Sequence, residues 1–474
     1  MRAAIVWFFI WRLAALAAHP PYQAIAQKFA DTILAKGLDV YGPKHTPLWA
    51  GVIDTRDFTV AEKGVGAPRG IRESDRAVGG ANLYHDVVTL RVFHLLSALT
   101  GDQRYKQAAE AYVRAYLELA SSPATGALGW GEHLYYHFFR DEVAAERKHH
   151  ELLEWTPPGD LLWEANPDAT RKEIAALRCH FYKDDPAALF NRHSSWAKAE
   201  HQKPGGQPWI KHSGLYAQAF MFLYARTGEA EWLRWSRGIG ALYWNHRNPQ
   251  TGLTLGCIGD PRPSTQDASP QMPELAYWLY KAYQLNPREK EFRLRALAYM
   301  KAYNRYFYDP VSRNFLTSVS MDGVPKSKET ATVWNIAYGD PGILPNGRIE
   351  AYFARMEPGA GCLARARRVA ELASETPMPE GVSLEGVAFA LNLNLDLYDI
   401  THEKRYLRQA QRYADFAIGK FWVSNSDGGL FVRQAGDHYY EAKSAAGDLL
   451  AGLLRLELRL NPKRRDPGLY DWSF

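Results

Sequence analysis

Apolar and polar positions fall in paired blocks along the chain. Residues 82–99 are apolar on nearly every helical face, Thr100-Gly101-Asp102 breaks the run, and 103–119 follows with one polar face. The same form returns at 210–225, Thr227-Gly228-Glu229 and 230–244, at 273–285, Asn286-Pro287 and 291–308, and at 384–400, Thr401-His402-Glu403 and 406–421. Residues 442–460 read as a last helix. A helix that is apolar all round is buried between layers, and one with a polar face lies outside. The Thr-Gly-acidic triplets suit the stop of one helix and the cap of the next. Five to seven such hairpins predict an all-α fold, an (α/α) toroid of six or seven hairpins whose inner helices ring a cavity. An open superhelix of helix pairs would show a tighter period and short, uniform loops. Here the segments 160–166, 246–270 and 318–345 read as long, irregular loops, and such loops on a rigid scaffold carry function.

Composition adds little to the fold and something to the partners. No Ser- or Gly-rich linker divides the chain, so 19–474 is expected to be a single toroid domain. Residues 1–18 carry one early positive charge, an apolar stretch interrupted by Arg12, and the small-residue site Ala15-Leu16-Ala17. They read as an export signal, with a secreted or periplasmic location expected. No other segment is long and apolar enough to span a membrane. The 57 basic and 52 acidic residues leave a net charge of +5 with no long basic run, so nucleic acid is not implied. Cys179, Cys257 and Cys362 are too far apart for a metal motif or a disulfide framework and read as buried thiols. The 15 Trp, 27 Tyr and 20 Phe suit a sugar-binding cleft and suit core filling equally well.

Candidate chemistry is concentrated in residues 129–196. Three pieces gather His, Glu and Arg: Gly131-Glu132-His133, His149-His150-Glu151-Leu152-Leu153 and Asn191-Arg192-His193. Between them runs Trp163-Glu164-Ala165-Asn166-Pro167-Asp168-Ala169-Thr170-Arg171, where Asn166 or Asp168 is expected to cap a helix with Pro167 in its first turn. Asp39-Val40-Tyr41-Gly42-Pro43-Lys44-His45-Thr46-Pro47-Leu48 precedes them.

In this order the five pieces resemble a bacterial group of α/α-toroid proteins labelled pectate-lyase-like, and the ordering also resembles polysaccharide lyase family 2. The resemblance covers residues 39–196. It implies metal-assisted β-elimination on a polysaccharide or oligosaccharide carrying uronic acids, with a divalent ion, manganese first, held by His133, Glu151 and His193, and with Arg192 abstracting the proton. Two imidazoles and a carboxylate suit a transition metal better than calcium. An arginine acts as a base only at high cost, so Arg192 fits equally well as a clamp on the uronate carboxylate. His149 and His150 adjoin Glu151 and compete with it for the ligand position.

Glu132 stands where the group's pattern has glycine, and this opens a second reading. The chain also resembles glycoside hydrolase family 154, which implies an exo-acting β-glucuronidase without a metal. Hydrolysis needs a pair of carboxyl groups. Glu132 and Glu151 are candidates, as are Asp340, Glu350, Glu385 and Asp437, with Arg192, His133 and His193 binding the uronate. A non-catalytic glycan-binding protein is the third reading. Trp130, Tyr135 and Tyr136 serve as a sugar platform or as core. Asp340, in the turn Tyr338-Gly339-Asp340-Pro341-Gly342, is expected on the cleft. Arg262, in a second turn, is placed to meet an anion. His85 and Asp86 either face the cavity or buttress a neighbouring helix.

Overall fold

The computed structural model describes residues 22–68, 71–144, 149–152, 159–204, 206–260, 262, 265–334 and 342–468. Residues 1–18 and Asp340 lie outside them.

The paired blocks become helix pairs. In chain order the helices are α1 (Tyr22–Lys36), α2 (Leu83–Thr100), α3 (Arg104–Leu119), α4 (Gly159–Ala165), α5 (Pro167–Ala176), α6 (Ile210–Thr227), α7 (Ala230–Asn245), α8 (Met272–Leu285), α9 (Lys290–Tyr306), α10 (Ile343–Met356), α11 (Cys362–Glu375), α12 (Leu384–Thr401), α13 (Lys404–Phe421) and α14 (Ala446–Leu460). Helices α6, α8, α10, α12, α14 and α2 pack in succession as an inner ring, and α7, α9, α11, α13, α1 and α3 lie outside them. The N-terminal α1 packs on the C-terminal α14, so the two ends of the chain close the ring together. Between α2 and α6 the short pair α4–α5 and the irregular residues 120–209 complete the circle. The fold is the all-α (α/α) toroid that the pattern predicts.

The local signals hold with two corrections. Gly101, Gly228 and His402 end their helices in the left-handed conformation, at φ of 80°, 73° and 57°. The acidic residues that follow do not all cap: Asp102 accepts from the Arg104 amide at 3.0 Å, but Glu229 and Glu403 pair with arginines. Asn166 caps α5, accepting from Ala169 N, with Pro167 in the first turn. The segment 160–166, expected as a loop, is helix α4 over nearly all its length. Helices α10 and α11 emerge from a stretch whose breakers, Pro345 and Gly347, mask the period.

Several charged groups inside the ring are paired. Arg455 on α14 binds Asp396 at 2.6 Å and Asp399 at 2.9 Å on α12, and Arg348 on α10 binds Asp396 at 3.2 Å. Asp86 accepts from Tyr112 Oη of α3 at 2.7 Å and is fully buried, so it buttresses the outer layer. Asp437 pairs with Arg433, and Glu385 lies in the first turn of α12. Glu350 is buried against Asn304 of α9 and Cys362 of α11, away from any cleft loop. Burial pushes its pKa from 4.5 up to about 7, against the lowering effect of Asn304 and Cys362.

This buried carboxyl makes stability depend on pH. The folded protein holds the Glu350 proton up to about pH 7, and the unfolded chain releases it in the usual carboxylate range. Its contribution to stability is therefore complete at low pH and is lost as pH rises towards and through about 7. Removing that dependence by Glu350→Gln raises stability at pH 8 relative to pH 4 by about 2–3 kcal/mol compared with the parent. Urea unfolding at the two pH values measures it, and an unchanged difference refutes it.

Candidate active site

Three chain segments converge beside α6. The strand His149–His150 pairs antiparallel with Ser194–Ser195, His149 facing Ser195 and His150 facing Ser194. One step further in this register sets Glu151 opposite His193. Residues on a strand alternate faces, so His149, Glu151 and His193 share one side, and His150 and Ser194 turn to the other. The third segment enters through a parallel bridge between Gly131 and Glu151, which places His133 on the same side two residues on. The α2 N-cap, Asn82, holds this segment by donating to the carbonyls of Gly131 at 2.8 Å and Leu134 at 3.2 Å.

Gly131 is required at this crossing. Its φ is +88°, and a Cβ there would lie 2.0 Å from the Glu151 carbonyl oxygen. Gly131→Ala therefore pushes the His133 segment off Glu151 and costs at least about 1–2 kcal/mol in backbone strain alone. Thermal unfolding checks the loss, and an alanine variant as stable as the parent would contradict the bridge.

Glu151 is the centre of the cluster and is fully buried. Its Oε2 lies 2.7 Å from His193 Nε2 and 3.1 Å from His133 Nε2. Its Oε1 lies 3.3 Å from Arg192 Nη1 and 3.6 Å from His212 Nε2. Burial alone would raise its pKa, but the imidazoles of His133, His193 and His212 outweigh it and hold the carboxyl ionised, far below the usual range. His212 shifts downward through burial, partly opposed by Glu151. These contacts are close, yet among the described residues neither Glu151 oxygen, nor His193 Nε2, nor either ring nitrogen of His212 has a hydrogen bond of regular geometry. One donor atom each from His133, Glu151 and His193 lie within 4.8 Å of one another. Two imidazoles and an anionic carboxylate whose lone pairs are not taken up by aligned donors form a set that one divalent ion can bridge.

Around this centre the expected residues take different places. Arg192 is a quarter exposed, and its buried Nε has no hydrogen-bond partner among the described residues. His149 stacks on His193 with ring centroids 5.1 Å apart. His150 points away: its Nε2 lies 3.2 Å from Glu173 and its Nδ1 3.0 Å from His180. Glu151 and His149 thus share the cluster side, and Glu151 is the one whose donor atom groups with His133 and His193. Glu132 is buried and ion-paired with Arg72, which also donates to Asp75 at 2.7 Å. Asp75 in turn faces His133 Nδ1 at 3.6 Å.

Trp130 is not a sugar platform. It is fully buried, edge-on to Tyr84, and donates its indole N–H to Glu173 at 2.9 Å. Tyr136 is also core, while Tyr135 is half-buried and stacks on His137. Arg262 is committed to Asp260, with Nε 2.8 Å from Oδ2.

A cleft of about 390 Å³ opens beside the cluster, lined by His149, His193, Ser195, Lys198, Glu200 and Gln202 among others. The residues absent from the sequence expectations are His212, Asp75, Arg72, Glu173 and His180. His212 had a signal, since it sits in the first turn of a helix apolar all round. The charged run Arg72-Glu73-Ser74-Asp75-Arg76 gave none, because it reads as a solvated loop.

Comparison with known proteins places this geometry. The sequence profile of a family described as periplasmic pectate lyase matches residues 72–272, which include every residue of the cluster. The pectate disaccharide-lyase of Dickeya dadantii (strain 3937) is 24% identical over 197 residues, 36% of this chain and 36% of that enzyme. The match thus spans about a third of the enzyme's length. Among solved structures, a D-mannose isomerase is similar with a TM-score of 0.51 at 11% identity, over 93% of this chain and 100% of that one. Cellobiose 2-epimerase from Bacillus thermoamylovorans B4167 gives 0.50 at 9% identity, over 92% and 98%. The structural likenesses show the shared toroid, and the sequence likeness makes the site-bearing part of the chain pectate-lyase-like.

Proposed function

We propose that the chain is a polysaccharide lyase that cleaves a uronate polymer by β-elimination, with a divalent ion, manganese first, held by His133, Glu151 and His193. One observation carries the reading: three distant segments bring two imidazoles onto a buried, ionised carboxylate whose oxygens have no aligned donor among the described residues. The likeness to periplasmic pectate lyases over 72–272 supports the substrate class, pectate being a uronate polymer, and an export location.

When bound, the ion neutralises the uronate carboxylate and stabilises the charge that develops as the C5 proton leaves. The protein's own groups do the rest. Glu151 keeps its charge because the imidazoles and Arg192 surround it. Asp75 lies behind His133, 3.6 Å from its Nδ1, and adds a negative charge on that side of the ring. Arg192 points its remaining donors towards the reacting sugar and clamps its carboxylate. His149 and Lys198 line the adjoining cleft, where the polymer lies.

The hydrolase alternative asks for a protonated carboxyl beside an ionised one. Glu151 is held ionised and Glu132 is tied to Arg72, so neither supplies the acid. Elimination leaves a C4–C5 double bond conjugated to the carboxylate, whereas hydrolysis leaves only a new reducing end. Incubation with polygalacturonate, followed by ultraviolet absorbance and a reducing-end assay, separates the two. Absorbance rising in step with reducing ends is expected, and reducing ends without absorbance would overturn the reading.

A further inference from the structure

The three site segments are all held from behind by one stretch of chain, α5 and the turn Leu177–His180 that follows it. Glu173 on α5 is 1% exposed. It accepts from Trp130 Nε1 and from the Leu128 amide, both on the segment that leads to His133. The same carboxylate faces His150 Nε2 at 3.2 Å, next to Glu151. Seven positions on, His180 is fully buried. Its Nδ1 donates to the Asn191 carbonyl at 2.9 Å, and its Nε2 accepts from Ser194 Oγ at 3.0 Å. Its own carbonyl accepts from the Asn191 amide at 2.8 Å. His180 thus grips both ends of the tetrapeptide Asn191–Ser194, whose middle residues are Arg192 and His193. His150 links the two anchors, with its Nδ1 3.0 Å from His180 Nε2.

From this arrangement we infer that Glu173 and His180 are positioning residues that set the spacing of His133, Glu151 and His193 as one unit, and so tune the affinity of the site for its ion. The inference rests on the proposed metal site. The bonds of the relay to Leu128, Trp130, His150, Asn191 and Ser194 each land within five residues of a metal donor, and one further contact joins His180 to Tyr216 of α6 at 3.2 Å. Between them the two groups meet all three donor segments. Neither residue contacts substrate, so both act through the geometry of the donors, which tolerates little displacement.

The test is manganese titration by calorimetry on the full-length wild type, Glu173→Gln, His180→Asn and, as a control, Arg455→Met, with a melting temperature for each. Wild type is expected to bind one ion. Glu173→Gln and His180→Asn each weaken binding about 10–100-fold. Arg455→Met, whose ion pairs lie on α12, lowers the melting temperature and leaves affinity unchanged. Wild-type affinity in both relay variants, whatever their melting temperature, overturns the inference. A wild-type protein that binds no manganese instead overturns the metal site on which it rests. Because two variants probe two separate anchors, failure of one to fold leaves the other to decide.

Discussion

Glu151→Gln is expected to abolish manganese binding and turnover together. The amide keeps the side chain's volume, so the cluster still packs, but it removes the charge that balances three imidazoles and Arg192. It also puts an N–H where a lone pair is needed. Outer partners of metal ligands cost about 10–100-fold in affinity when changed, so loss of the one anionic donor in the set exceeds about 100-fold. Calorimetric titration with manganese and the absorbance assay give the two readings. The folded state changes little by comparison, because relieving a buried carboxylate of its desolvation offsets the lost attraction. A variant that still binds manganese within tenfold of the parent would show that Glu151 is a structural hub and nothing more.

Arg192→Ala is expected to separate binding of the ion from turnover. Arg192 is a quarter exposed, and one nitrogen lies 3.3 Å from Glu151. Removing this cation takes away a repulsion on the ion and a clamp on the substrate. Manganese affinity therefore holds or tightens, while turnover of polygalacturonate falls about 10²–10³-fold, the cost of losing one preorganised charge-stabilising donor. Arg192→Lys keeps a point charge but loses the planar fork. It is therefore expected to recover only part of the lost rate. Turnover unchanged in the alanine variant would remove Arg192 from the reaction.

The fold was legible because its signal is periodic and repeated. Inner helices such as α6 and α12 are buried on all faces, so their sequences are apolar throughout, and the turn triplets mark their ends. Helix α10 escaped because Pro345 and Gly347 in its first turns look like loop, yet Pro is tolerated there where no helical donor is lost. Segment 160–166 looked irregular because a helix of about two turns is too short to show a period.

The cluster was legible for a different reason. The pieces around His133, Glu151 and Arg192-His193 could be aligned with a known order of motifs, but the sequence left Glu151 and its two histidine neighbours in competition. Strand register excludes His150, which faces Glu173, and of the two odd positions it is Glu151 that puts a donor atom within reach of His133 and His193. Register is a long-range property, set by pairing across more than forty residues, so no local pattern could supply it. Trp130 stayed open between sugar platform and core because aromatic side chains serve core and cleft alike, and its full burial decides for core. The relay through Glu173 and His180 had no signal at all, since a buried glutamate on an amphipathic helix looks like one more polar residue on its outer face.

The account turns on the ion bound at His133, Glu151 and His193. Its most direct test is to strip the protein with chelator, add manganese in known amounts, and follow absorbance of the unsaturated product from polygalacturonate after each addition. Activity is predicted to be absent in the stripped protein, to rise in proportion to added ion, and to level off at one ion per chain. Full activity in the stripped protein would contradict it.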